Sequence, residues 1–393
     1  MNVKDAFFVL VRKQIEDRSI PSDFFNDVTE EQLEALYKFA KIHDMAHLLY
    51  DGFSDTNVFD GKEKIKKQYD DELALAVFRT EQIFFELQSV CNALTGAKIE
   101  HVPLKGAVLR GYYPQSWMRT SCDIDILIKK EDVKKAVEAI CTTLNYSLDA
   151  DYYHDVSLYA PSGVHVELHY ELIESNESKK IYTMQKNVWD WLEPAKDGEY
   201  TRKMTDEHFY FYQLAHMAKH FAFGGCGIRS FVDMFILNQK VTYDQAKLNA
   251  MIKEGGLLLF DRAVKQICNH WFLNEPLPEE LATAESYVLR GGIYGSKTNT
   301  IAVKNVQRGK KKMLLAHVFP KLKYLKDDFP ILQKHKWLYP PCLVLKWCKI
   351  VFIKGGVVKK IKVTLDTKAV VTDEQQTQTK KMLTDVGLEE MMR

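Results

Sequence analysis

The sequence predicts an α+β fold, a small mixed β-sheet with helical regions before and after it. Apolar residues recur at helical spacing through residues 1–97 and again from Thr205 onward. Between these regions, short runs alternate apolar and polar residues, as half-buried strands do. Glycine and proline punctuate the same middle region at Lys105-Gly106 and Pro161-Ser-Gly163.

The 393 residues suit two or three domains, or one central domain with helical extensions. We divide them into a helical region over 1–97, a sheet-bearing core over 98–200, a helical region with a basic stretch over 201–363, and a flexible tail over 364–393. Glu30 to Tyr50 reads as one helix, with Leu33, Leu36, Phe39, Ala40, Met45 and Leu48 on its apolar side. Asp71 to Leu94 reads as another and stops at Gly96. This layer is expected to pack on the sheet. A short strand should end near Leu104, followed by a tight turn at Lys105-Gly106 and a short helix to about Tyr113. Asp123 to Ile128 reads as a strand, and Glu131 to Leu144 as a helix with an acidic first turn. Asp155–Ala160 and Val164–Tyr170 flank Pro161-Ser-Gly163 and read as a hairpin.

Helical spacing resumes from Thr205 to Asn238, broken by Gly224-Gly-Cys-Gly227, and continues to about Trp271 and again over Leu277–Leu289. Gly291 to Gly295 reads as a loop. From 301 to 363 the basic residues between Lys304 and Lys362 face only Asp327 and Asp328. The last stretch, from about Thr364, is polar and reads as a tail with one short helix at its end.

Hydrophobic residues make up 46% of the chain, and with a net charge of +1 nothing in the overall balance suggests a nucleic-acid coat protein. The seven cysteines are scattered without a C-x-x-C pair, which fits a reducing compartment. The opening Met-Asn-Val-Lys-Asp-Ala lacks the apolar core of a signal peptide, and no apolar run reaches about 18 residues. These features place the expected location in the cytoplasm, with no transmembrane segment.

The most informative motif is Asp123-Ile-Asp125. Residues two apart in a strand share a face, so both carboxylates stand side by side while Ile124, Ile126 and Ile128 face the other way. Burying unpaired charge is costly, so the pair makes sense around a divalent cation, and oxygen ligands on rigid backbone suit Mg²⁺. In the second hairpin strand His165, Glu167 and His169 share one face, and Glu167 is placed to supply a third carboxylate. Gly106 lets backbone approach a ligand closely, and a helix start offers N–H groups to phosphate.

In this order, Leu104-Lys105-Gly106, Tyr113-Pro114, Arg119, Asp123-Ile124-Asp125 and Glu167-Leu168-His169 resemble the stand-alone bacterial nucleotidyltransferase family 5 of the DNA polymerase β-like superfamily. Gly291-Gly292-Ile293-Tyr294-Gly295 and Tyr339-Pro340-Pro341 are similar to later segments of that group. One departure is Ala107, where the superfamily usually carries Gly or Ser after the turn glycine.

The resemblance implies a nucleotidyltransferase-type sheet and transfer of NMP from an NTP to an acceptor hydroxyl, with pyrophosphate released. It implies two Mg²⁺ ions on Asp123, Asp125 and Glu167, with Glu167 as base, and a nucleotide such as ATP. Lys105, Gly106 and Arg119 are then candidates for phosphate, Arg119 alternatively for a salt bridge to the acids. Lys219 and Asp233 loosely match a Lys and Asp of toxin-type relatives. His216, Lys219 and His220 share one helical face; they read as the polar side of an amphipathic helix, as a Zn²⁺ pair without a third ligand, or as substrate contacts, as His169 does. The acceptor is expected to be a small molecule or a protein before a tRNA. A nucleotide-binding pseudoenzyme or sensor is the alternative to an enzyme. The basic stretch is read as solvated surface before RNA or membrane contact.

Overall fold

The computed structural model describes residues 2–303 except 17, 22–23, 55, 152–154, 174–177, 196–197 and 294, and then 306, 319–320, 322, 325, 328–333, 335–352 and 372–392. Four helices come first: α1 (Val3–Glu16), α2 (Glu30–Ile42), α3 (Ala46–Gly52) and α4 (Glu63–Gly96). A capping box starts α2, in which the Thr29 hydroxyl accepts from the Gln32 amide and the Gln32 side chain accepts from the Thr29 amide. The single helix expected over Glu30–Tyr50 is two. Asp44 adopts φ 55°, which no helix continues through, and the Met45 amide turns back to Ala40 O. The His43 side chain leaves the helix line to donate to Leu289 O at 3.2 Å and accept from the Ile228 amide at 3.3 Å.

The sheet holds β1 (His101–Pro103), β2 (Asp123–Ile128), β3 (Ser147–Asp151), β4 (Asp155–Tyr159) and β5 (His165–His169), in the order β1-β2-β5-β4-β3. β2 and β5 run parallel; every other pair is antiparallel, so the sheet is mixed as expected. The anticipated hairpin is β4–β5. The edge strand β3 escaped the sequence reading because Ser147-Leu-Asp-Ala-Asp151 is mostly polar and its pairing is irregular between Leu148 and Ala150. The short pair β6 (Leu192–Pro194) and β7 (Arg202–Met204) was missed as well. Between β1 and β2 lies the four-residue α5 (Gly106–Leu109), and α6 (Val133–Leu144) links β2 to β3.

One sheet face is apolar. Ile124, Ile126, Ile128, Val156, Leu158, Val166 and Leu168 are buried with Ile83, Val90 and Leu94 of α4 and Ala136 and Ile140 of α6. Fully burying one such side chain is worth about 1.5–3 kcal/mol, so this layer pins the register: a one-residue slip would drive Asp123 and Asp125 into it.

The expected N-terminal layer divides its role. α4 covers the sheet, whereas α1–α3 share a larger core with α8 (Asp206–Phe223), α9 (Ile228–Lys240), α10 (Gln245–Glu254), α11 (Leu258–Leu273) and α12 (Ala282–Leu289). Phe7, Leu33, Leu36, Tyr69, Phe221, Phe231, Phe260 and Trp271 belong to that cluster, which also takes in Val102 and Leu127 from the sheet. A short α7 (Lys179–Gln185) follows β5. Near the C-terminus stand α13 (Tyr339–Phe352) and α14 (Asp373–Asp385). The terminal helix expected in the tail is α14, but it is docked: Met382, Leu383, Val386 and Leu388 join the large core. Gly387 (φ 74°) makes this contact possible, because a Cβ there would come 2.7 Å from Leu259 Cβ.

A buried polar seam joins the two parts. Arg119 Nε donates to Asp233 Oδ1 at 2.7 Å, and the Tyr113 hydroxyl donates to the same oxygen at 2.6 Å. Arg229 Nη1 bonds Asp44 Oδ2 at 2.5 Å, and the Thr120 hydroxyl donates to that oxygen at 2.8 Å. The seam fixes the 113–120 segment, which leads directly into β2, against α9 and the α2–α3 break.

Two outcomes follow. Asp233→Ala leaves the buried Arg119 guanidinium without its anion and should destabilise the fold by about 3–5 kcal/mol in urea unfolding. The second concerns pH. Burial pushes the His43 imidazole from 6.5 down to about 4, so it is neutral in the fold. The unfolded chain then takes up this proton first as pH falls. Stability fully present above about pH 6.5 should be lost between about 6.5 and 4, by about 3 kcal/mol from this residue. A His43→Gln variant should show a correspondingly shallower pH dependence in denaturant unfolding.

Candidate active site

The parallel register of β2 and β5 sets Asp125 opposite Glu167 and Asp123 opposite His165. The β4–β5 register adds Ser157 opposite Glu167, Tyr159 opposite His165 and Asp155 opposite His169. Alternation along each strand sends these side chains to the face away from α4 and α6. Asp123, Asp125 and Glu167 thus share one face in adjacent positions.

Asp125 lies at the centre and is 3% exposed. Its Oδ1 accepts from Lys105 Nζ and from His169 Nε2, each at 2.7 Å. His169 Nε2 also lies 3.3 Å from Glu167 Oε2. Ligand atoms of Asp125, Glu167 and His169 all fall within 4.8 Å of one another, a grouping able to hold a metal ion. Beside it, His165 Nε2 is 3.1 Å from the Ser157 hydroxyl, and the His165 ring stacks on Tyr159 at 4.8 Å.

The charges are strongly perturbed. Burial opposes ionisation of Asp125, but the Lys105 ammonium and then His169 outweigh it and hold this carboxyl well below its usual range. Asp123 goes the other way, raised by burial and next by the charge of Asp125. His169 is disfavoured as a cation by burial, yet hydrogen bonds to Asp125 and Glu167 prevail and raise its pKa. Opposite displacement of neighbouring carboxylates in a partly open site is typical of functional groups.

Lys105 owes its place to an unusual backbone. The Ala107 amide donates to Leu104 O at 3.1 Å and closes a tight turn, while the Leu104 amide donates to Asp125 O at 2.9 Å. Lys105 adopts φ 44° and ψ −119°, a conformation that suits glycine and costs a side-chain-bearing residue about 1–3 kcal/mol. Ala107 and Val108 amides donate within this turn, so the helix start offers fewer N–H groups than its sequence suggests. Gly106 is closely covered: a Cβ there would lie 3.1 Å from Ser121 Cβ. Arg110 Nε donates to Gly106 O at 2.9 Å and its Nη2 to the Ser121 hydroxyl at 2.8 Å. Ser121 therefore brings a hydroxyl beside the turn, where Ala107 has none. Sequence reasoning overlooked Arg110 and Ser121 because neither lies in the acidic motif; helix spacing from Gly106 to Arg110 was the only signal for the first.

α8 supplies the facing groups. Tyr212 and His216 are both perturbed first by burial and then by the charge of Lys105, with a smaller contribution from Asp125. Burial and then Lys105 depress the His216 pKa far below normal; burial and then Lys219 lower His220 to about 4. The two imidazole Nε2 atoms are 3.2 Å apart. The metal-competent group found among the described residues is Asp125–Glu167–His169, which does not include this His pair.

Two candidates stand elsewhere. Arg119 does not pair with Asp123 or Asp125, and it is not open to a phosphate; buried, it needs a buried anion, and Asp233 on α9 supplies one. Asp233 is consumed by the same pair and by Tyr113. In the Gly291–Gly295 loop, of which Tyr294 lies outside the described residues, the Ile293 amide donates to Ile42 O at 2.8 Å, bracing the end of α2. Most basic residues of the 301–363 stretch, including Lys310, Lys311 and Lys312, lie outside the described residues.

Comparison with known proteins adds one match. The model of a family described as uncharacterised nucleotidyltransferase matches residues 29–273, from the cap of α2 to the end of α11. No curated protein and no solved structure matches the chain. The matched span covers more than half of the sequence and contains the whole five-stranded sheet, Lys105, the three carboxylates and α8. With that acidic sheet face inside it, the chain belongs to this nucleotidyltransferase family and is a transferase of a phosphorus-containing group.

Proposed function

We propose that the protein is a Mg²⁺-dependent enzyme that transfers the NMP unit of an NTP, such as ATP, to an acceptor hydroxyl and releases pyrophosphate. The observation that supports it most is the row formed by Asp123, Asp125 and Glu167 on one sheet face, with the Lys105 ammonium against it.

The donor set fits hard cations. Three carboxylates dominate it, and like charge between Asp123 and Asp125, which raises the Asp123 pKa after burial, is what a divalent ion would relieve. Asp123, Asp125 and Glu167 would hold Mg²⁺, two ions in our reading, with His169 orienting Asp125 and Glu167 through its hydrogen bonds. Bound there, Mg²⁺ would neutralise the triphosphate and the departing pyrophosphate.

The chain's own groups then have distinct tasks. Lys105 neutralises phosphate oxygens, and Gly106 keeps the turn close to them. Glu167 takes the proton of the acceptor hydroxyl as its oxygen attacks the α-phosphorus and the bond to the β-phosphate oxygen breaks. His216, Lys219 and His220 on α8 are assigned to the substrate side. Arg119 and Asp233 support the segment entering β2 without touching substrate. Most of the rate comes from positioning and charge.

The net charge of +1 favours a small-molecule or protein hydroxyl over a tRNA end. All seven cysteines are free thiols, which agrees with a reducing, cytoplasmic setting. No helix among the described residues is long and apolar enough to cross a membrane.

The test is to incubate the protein with each labelled NTP, Mg²⁺ and fractionated cell extract, and to measure pyrophosphate release and the labelled fraction. Asp123→Asn and Glu167→Gln should each reduce release below detection with thermal unfolding nearly unchanged. Undiminished turnover in either variant removes that residue from the mechanism. Nucleotide binding without pyrophosphate release under every acceptor fraction would instead identify a sensor.

A further inference from the structure

We propose that Lys105 is an exchangeable counter-ion: its ammonium holds Asp125 until a divalent cation takes that carboxylate, and it then passes to the phosphates of the nucleotide. The inference rests on the metal-dependent reading above and deepens it, because it makes metal and nucleotide binding depend on each other through one side chain.

Three observations carry it. The first is competition for one carboxylate. Asp125 Oδ1 already accepts both Lys105 Nζ and His169 Nε2, and this same carboxylate belongs to the Asp125–Glu167–His169 group able to hold a metal. A cation ligated by Asp125 would meet an ammonium held 2.7 Å from the same carboxylate, where like charges repel.

The second is the turn. Its backbone is pinned to β2 by the Leu104 amide on Asp125 O, so displacement falls to the flexible four-carbon stem of Lys105 and not to the chain. A lysine stands in a conformation that favours glycine, φ 44° and ψ −119°, so the fold holds the ammonium at this spot at a conformational cost.

The third is access. The Lys105 side chain keeps 22% of its surface exposed whereas that of Asp125 keeps 4%, so the lysine is the more accessible partner of the pair. Metal alone must break an internal ion pair. Triphosphate alone meets a lysine already engaged and three carboxylates that repel it. Together, each ligand supplies what the other displaces, and the coupling is reciprocal.

Calorimetry on the full chain tests this with Mn²⁺ as the probe, alone and with α,β-methylene-ATP, whose bridging carbon blocks transfer. In the parent protein the analogue should tighten Mn²⁺ binding by roughly tenfold or more. Lys105→Met and Lys105→Gly should each bind Mn²⁺ alone about tenfold more tightly than the parent, and the tightening by analogue should shrink to a few-fold. Thermal unfolding checks both variants, and the glycine variant suits the turn should the methionine variant fold poorly. Unchanged or weaker Mn²⁺ affinity in a folded variant overturns the exchange and makes Lys105 a fixed counter-ion, with the metal reading intact. No Mn²⁺ binding by the parent, even with the analogue, overturns the metal reading and this inference with it.

Discussion

The parallel pairing of β2 with β5 is the constraint on which the rest depends. Strand side chains alternate, so this pairing gives the sheet two opposite faces with opposite chemistry. Ile124, Ile126, Val166 and Leu168 are sealed under α4 and α6, and their burial holds the register. The same register sets Asp125 beside Glu167 on the other face. The apolar layer thus fixes the relative positions of the carboxylates, although its side chains face the other way.

A face so charged must be balanced. Lys105 and His169 both bond Asp125 Oδ1 and hold Asp125 ionised against its burial, while burial and then the charge of Asp125 push Asp123 upward. The balance is local and partly open to ligands, because Lys105 and Glu167 retain exposure that Asp125 lacks. Affinity for hard cations and for phosphate is therefore built from the same few groups.

The helical body contributes position more than chemistry. The Arg119–Asp233 pair and the Asp44–Arg229–Thr120 bonds lock the segment before β2 onto α9 and the α2–α3 break. α8 carries Tyr212 and His216, buried groups within the electrostatic reach of Lys105 and Asp125. The core shared by α1–α3 and α8–α12 explains why residues near both ends of the chain bear on the site's geometry.

Much of this was legible in the sequence. Period-two alternation identified β2, β4 and β5, and the i, i+2 carboxylates put Asp123 and Asp125 on one face without any tertiary information. Helical periodicity found the flanking helices but ran through the break at His43–Met45, since nothing local shows that His43 is drawn out by Leu289 and Ile228. The docking of α14 depends on partners such as Leu259 more than a hundred residues earlier, so its polar composition suggested a tail. Arg119 carried the charge expected of a phosphate ligand, and only burial against Asp233 gave it a different partner. Strand period and local turn chemistry are short-range properties that a sequence states directly. Which charge meets which, and which helix face is covered, is settled by contacts between distant segments, and those exist only once the chain is packed.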